Sequence, residues 1–265
     1  MRRLARLLLL CLVFARAGLT CDPYAEHVAR GQALQREARW IEAAETFLQV
    51  DPSWTVEGGE VIPVGTYAWS RATAGFCFLR AYQAQQDPDL VSAARACLRE
   101  ATRVAREREE ATTLSLVALY TGQLEEALGH EDLALVAFEG VTPAHQELWS
   151  RACYHRVRLH QRRGDLAAAE ACASTLGDVR DRFTAYTAYT LAGWWDDLAR
   201  RAPERVQRGL FAGRAAAYAR RFLDCVQQGD YARSTLTPAH LRFLARLCRA
   251  VGREADAREV EALGS

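Results

Sequence analysis

The 265-residue chain has no lysine, no asparagine, one methionine and only seven prolines. All 34 of its basic residues are therefore arginine. Lysine and asparagine codons are AT-rich, so the bias reads as that of a GC-rich, bacterial genome and weakens any single Arg cluster as a functional sign. Without asparagine there is no N-glycosylation sequon. A dominant charge is also missing. The 34 Arg face 33 acids, for a net charge of +1, which argues against a nucleic-acid partner held by bulk charge. Half of the chain is apolar and a quarter charged, which excludes disordered, collagenous and multi-span membrane classes. Catalytic signatures are absent as well. There is no Gly-rich phosphate loop, nucleophile elbow, HExxH or framed carboxylate pair. No CxxC or HxxxH spacing occurs, so no zinc site is expected. The expectation is a chain without catalytic residues, metal or cofactor.

What is present begins at the N-terminus. Arg2, Arg3 and Arg6 precede an unbroken apolar run from Leu7 to Phe14, and Ala15-Arg16-Ala17 follows as a small-x-small cleavage site. This is the layout of a secretory signal peptide over residues 1–17. The run is too short for a membrane span, which needs ~20 apolar residues. Cys21 resembles a lipidation site, which would move the boundary to residue 20, although Gly18, Leu19 and Thr20 depart from the usual lipobox. Export to the periplasm, cell envelope or medium is expected, with membrane attachment only through a lipid on Cys21. The alternatives are a Leu-rich terminal helix or a misplaced start in a cytosolic protein.

From residue 22 to 265 the apolar pattern has helical period, and β signals are scarce. A Gly followed five positions later by Ala recurs as Gly122/Ala127, Gly129/Ala134, Gly164/Ala169 and Gly252/Ala257. Two antiparallel helices joined by a tight turn approach closely only where side chains are small, and Gly at the turn accepts a left-handed backbone. Gly31, Ala43, Phe47 and Val50 follow one another at spacings of 12, 4 and 3, with Pro52 after them. Ala134, Phe138 and Val141 repeat the later part, before Pro143. These residues resemble the degenerate units of the tetratricopeptide repeat family, whose period is ~34 residues. The resemblance covers about half of the chain, and residues 53–70 and 173–213 leave the register. It implies an all-α fold of about six antiparallel helical hairpins stacked as an α-solenoid in one domain.

Residues 51–69 interrupt the helical pattern with Gly58-Gly59, two prolines and the aromatics Trp54, Tyr67 and Trp69. This irregular loop reads either as an exposed lip or as a connection whose rings cap the core. Six cysteines fall in pairs, Cys77/Cys97, Cys153/Cys172 and Cys225/Cys248, each straddling a turn near its midpoint. Residues equidistant from a hairpin turn sit side by side, so three intra-hairpin disulfides are expected if the Cα atoms come within ~7 Å. The alternative is six buried thiols acting as small apolar side chains. Disulfides and export support each other.

Candidate site residues lie on two helix faces. Arg151, Tyr154, Arg158 and Arg162 recur at spacings of 3, 4 and 4, and Arg242, Arg246 and Arg249 form a second stripe. Arg forks suit carboxylates, so the expected ligand is a protein or peptide with acidic character; the alternative is a solvated face. The family's carboxylate clamp uses Lys and Asn, which this chain lacks. His155 and His160 do not share a helix face and read as surface or satisfied histidines. Asp196-Asp197 after Trp194-Trp195 reads as a cation or sugar contact, or as a core aromatic followed by a solvated helix end. The expected function is a non-catalytic exported scaffold that binds a partner protein. A cytosolic adaptor of the same fold and an enzyme with a motif-less site between hairpins are the alternatives.

Overall fold

In a computed structural model, residues 23–51, 64–228 and 237–263 are described. The signal segment, Cys21, Trp54 and Gly58-Gly59 lie outside them. Every regular element among the described residues is an α-helix, and the helices pack as neighbouring pairs. They are α1 (Pro23–Arg36), α2 (Trp40–Leu48), α3 (Val64–Gln85), α4 (Pro88–Glu107), α5 (Ala111–Ala127), α6 (Glu131–Glu139), α7 (Gln146–Arg163), α8 (Leu166–Ser174), α9 (Arg182–Arg201), α10 (Arg205–Gln228), α11 (Pro238–Ala250) and α12 (Glu254–Ala262). None of the described helices is long and apolar enough to cross a membrane. The chain divides into two compact units, residues 1–113 and 114–265.

In the first unit α1 packs on α2, α2 on α3 and α3 on α4. Small residues set these approaches: Ala43, Ala44, Ala68, Ala72, Ala74, Ala94 and Ala101 are fully buried. A Cβ on Gly31 would stand 2.6 Å from Cζ of Phe47, so the ring sits directly on the α1 backbone. Trp69 meets the same Phe47 edge-on at 5.7 Å. The loop expected through residue 69 therefore gives way to helix from Val64 onward. Tyr67 lies beneath the Arg71 guanidinium at 4.7 Å. Asp87 opens α4 by accepting a hydrogen bond from the Asp89 amide, with Pro88 at the first helical position, where its missing N–H costs nothing.

The second unit repeats the device. A Cβ on Gly122 would stand 2.5 Å from Cε1 of Phe138. Gly122 is thus not the turn residue its Gly-to-Ala spacing suggests; it lies inside α5, under the Phe138 ring. The turns fall at Gly129, Gly164 and Gly252, all with positive φ. Three apolar clusters then follow in chain order. Leu119, Ala134, Phe138, Ala152 and Leu159 join α5, α6 and α7. Cys153, Val157, Ala169, Cys172 and Leu191 join α7, α8 and α9. Trp195, Ala219, Phe222, Leu244, Cys248 and Val260 join α9 through α12.

The disulfide expectation is corrected. All six cysteines are free and buried. Cys153 and Cys172 lie side by side without a bond, the Cys172 thiol donating to the Cys153 carbonyl at 3.7 Å. Cys77 instead accepts from Gln35 Nε2 at 3.1 Å. The sulfurs fill the space between Ala-rich helices as small apolar groups. Burial pushes the Cys77 and Cys225 thiols up to about 11, so neither is an activated nucleophile.

Candidate binding face

The face of α7 carries the first candidate set, and the structure brings all four residues together. Tyr154 packs against Phe183 (6.3 Å) and Tyr186 (5.6 Å) of α9. Arg158 lies over the Tyr154 ring at 5.7 Å. Arg151 lies between Tyr120 of α5 (5.9 Å) and Phe183 (5.7 Å). Aromatic faces carry negative quadrupole charge, so each guanidinium is attracted to the rings it lies over.

Beneath them runs a polar network that spacing alone did not show. Arg151 Nη2 donates to Gln123 Oε1 at 3.2 Å. The Gln123 amide nitrogen thereby faces His155 Nε2 at 2.8 Å, which accepts, leaving the proton on Nδ1 to bond Glu126 Oε2 at 2.6 Å. Arg162 donates to the same Glu126 at 3.1 Å and to Glu131 at 2.9 Å. Phe138 stacks on the His155 ring at 5.2 Å. His155 is thus a satisfied structural histidine, one of the two roles its sequence position allowed. Burial opposes ionisation of Glu126. The His155 bond and the charges of His155, Arg158 and Arg162 outweigh it and hold the carboxyl below its ordinary value. Arg162, bound to two carboxylates, is engaged internally. Arg158 has no ion pair of its own among the described residues.

The second candidate set does not act as one stripe. Arg246 reaches back to Asp196 of α9 at 2.8 Å and lies over Phe243. Arg249 turns the other way, to Glu261 of α12 at 2.7 Å. Arg242 is exposed and stands apart from both ion pairs. Three residues share one side of a helical wheel, but the side chains of Arg246 and Arg249 follow carboxylates on opposite neighbours. Asp196 also pairs with Arg200, and Asp197 with Arg201, while Trp195 is buried. The aspartates therefore belong to a helix end behind a core aromatic.

A polar cleft of about 670 Å³ opens where α7 and α9 begin, lined by Glu147, Asp178, Arg180, Asp181 and Arg182. Its charges are largely committed: Arg182 to Glu147, Arg180 to Gln228, and Asp181 to Ser150 and the Thr184 amide. No group of three or more metal-ligating side chains occurs among the described residues. Comparisons with protein-family models, curated proteins and solved structures find no match. The chemistry of this face is therefore argued from its own residues.

Proposed function

We propose that the protein is an exported, tetratricopeptide-like helical scaffold that binds an acidic segment of a partner protein on the α7–α9 face. The observation that carries this is Arg158, which lies over Tyr154 beside Phe183 and Tyr186 and, although near enough to Glu126 to act on its charge, forms no salt bridge among the described residues. A guanidinium oriented by a ring and supported by an aromatic cluster suits a carboxylate followed by an apolar side chain. The chain order of the apolar clusters supports stacked hairpins, in which each pair buries its face on the next.

The test is fluorescence anisotropy with two labelled peptides, one alternating Glu and Leu and the other alternating Lys and Leu. The Glu peptide is expected to bind, and Arg158→Glu to weaken it ~10-fold, about 1.4 kcal/mol. Equal binding of both peptides, or no effect of the variant, overturns this reading.

The six free thiols favour a second reading, a cytosolic adaptor of the same fold. Intact mass measurement of the native protein separates the two. Loss of residues 1–17 supports export, and retention of Met1 with unmodified thiols supports the adaptor.

A further inference from the structure

Helix α10 has 24 residues and is flanked by α8 and α12, which have nine each. At 1.5 Å per residue, that sets ~36 Å against ~13 Å. The side-chain bonds from α10 to these two helices all start at residue 214 or later: Arg214 and Tyr218 to Glu170, and Arg220 to Asp256 and Glu259. The first half of α10 has an inner contact, Phe211 on Trp195 at 5.3 Å. Its outer side is bare. Val206 is 82% exposed and Leu210 63%. Gly213 and Ala217 are exposed further along the same side, and nothing stands within 4 Å of a Cβ built on Gly213. The spacing Val206, Leu210, Gly213, Ala217 is 4, 3, 4, the heptad seam of a helix that packs against another helix. It lies opposite the buried side formed by Ala215, Ala219 and Phe222.

Charge decides what covers this seam. From Arg205 to Leu223 there is no acidic residue, and of the five Arg in that span Arg214, Arg220 and Arg221 are bonded within the chain, while Arg205 and Arg208 are exposed and in no salt bridge among the described residues. Arg205 lies on one flank of the seam, about 100° around the axis from Val206, and Arg214, held by Glu170, lies on the other at about 80°. A second copy of α10 would bring Arg to Arg. A lipid surface would meet Gly213 and Ala217 where interfacial helices carry bulky apolar groups. The geometry points to a docking seam on the first half of α10 for an amphipathic helix of a partner protein, with branched apolar residues along its contact edge and Glu or Asp on the flank that faces Arg205. Small residues on α10 admit the partner's larger ones, and Arg205 selects its charge.

The test uses a synthetic 21-residue helix with Leu at heptad a and d positions and Glu at e and g, against the same helix with Lys at e and g. Titration at low salt is expected to show binding of the Glu helix only. Val206→Asp with Leu210→Asp should weaken it at least ~10-fold, with the circular dichroism unchanged, since both side chains are exposed. Arg205→Glu should weaken the Glu helix and strengthen the Lys helix. Arg158→Glu should leave both titrations unchanged, which separates this seam from the α7–α9 face. Equal binding of the two helices, or full binding by the double Asp variant, overturns the proposal. So does a native dimer in sedimentation that the double variant dissolves, or adsorption to phosphatidylglycerol vesicles lost in that variant without any helix binding.

Discussion

The two units share a packing device and differ in how their charges are wired. In each, a Phe from the second helix of a pair seats on a Gly of the first, Phe47 on Gly31 and Phe138 on Gly122. The surrounding Ala and Val keep the same offsets, Ala43 and Val50 in one, Ala134 and Val141 in the other, all buried. The ion pairs diverge. Arg39 reaches Glu37 and Glu42, and Arg103 reaches Glu100 and Glu107, all within four residues along the chain. In the second unit Arg162 ties α7 to Glu126 of α5, Arg246 ties α11 to α9, and Arg220 ties α10 to α12. The shared device shows that backbone approach is set by shape. The difference shows that charge contributes to tertiary order only where it spans helices, since exposed local pairs are each worth ~0.2–1 kcal/mol at most.

The largest effect tests whether the device is one device. Gly31→Ala and Gly122→Ala each place a methyl under 3 Å from a fully buried Phe ring. Overpacking of this kind costs about 1–3 kcal/mol. The two variants should lower the urea midpoint by similar amounts without changing the slope. If only one does, the ring at the other site has room to move, and the likeness of the two pairs is superficial.

The next effect sharpens the contrast in wiring. Glu126→Gln removes a buried carboxylate from its His155 hydrogen bond and from the charges of Arg158 and Arg162, and should cost about 1–2 kcal/mol at pH 7. Because Glu126 is held below its ordinary value in the folded chain, its contribution is complete above the ordinary carboxylate range. It is lost as pH falls through the lower folded value. The deficit of Glu126→Gln relative to the parent should therefore be largest at neutral pH and shrink toward pH 3. Glu107→Gln in the first unit, whose pair with Arg103 stays on one helix, should cost less than Glu126→Gln, and 1 M salt should abolish its cost. A Glu126→Gln deficit that is flat with pH would show that the network is held by shape alone.

How much of this was legible in the sequence follows from the range of each interaction. Helical periodicity is local and indicates paired helices, and the Gly, Ala, Phe, Val spacing picks out Gly31 and Phe47 without showing that the ring sits on the glycine. The same spacing runs from Gly122 through Ala134 and Phe138 to Val141, yet the five-residue Gly-to-Ala spacing that Gly122 shares with the true turn glycines reads it as a turn residue. The α7 face was readable because its four residues share one helix. The role of Gln123 and Glu126 was not, because their partner His155 lies about thirty residues away. Arg246 and Arg249 could not be told apart for the same reason: the sequence shows their shared side of α11 but not the carboxylates of α9 and α12. Cysteine spacing found a true neighbour pair in Cys153 and Cys172, but spacing carries no information about oxidation.

The smallest effect lies in the turns, where the units differ by one atom. Five connections use the same closing bond, an amide reaching back five residues past a residue with positive φ. It is formed by Arg39 to Leu34, Glu110 to Ala105, His130 to Glu125, Asp165 to His160 and Arg253 to Cys248, all at 2.9 Å. The positive-φ residue is Ala38 or Glu109 in the first unit and Gly129, Gly164 or Gly252 in the second. A Cβ in this conformation costs roughly 1–2 kcal/mol, offset in part because Gly gives the unfolded chain more freedom. Nothing lies within 4 Å of a Cβ on Gly129 or Gly252, so Gly→Ala there changes backbone strain alone. Gly252→Ala should therefore lower stability by about 1 kcal/mol, read as a shift in urea midpoint. Ala38→Gly and Glu109→Gly should each raise it, by about 0.5 kcal/mol, since the exchange runs in the other direction. If Ala38→Gly is destabilising instead, the methyl of Ala38 makes a contact worth more than its strain, and the two kinds of turn are not interchangeable.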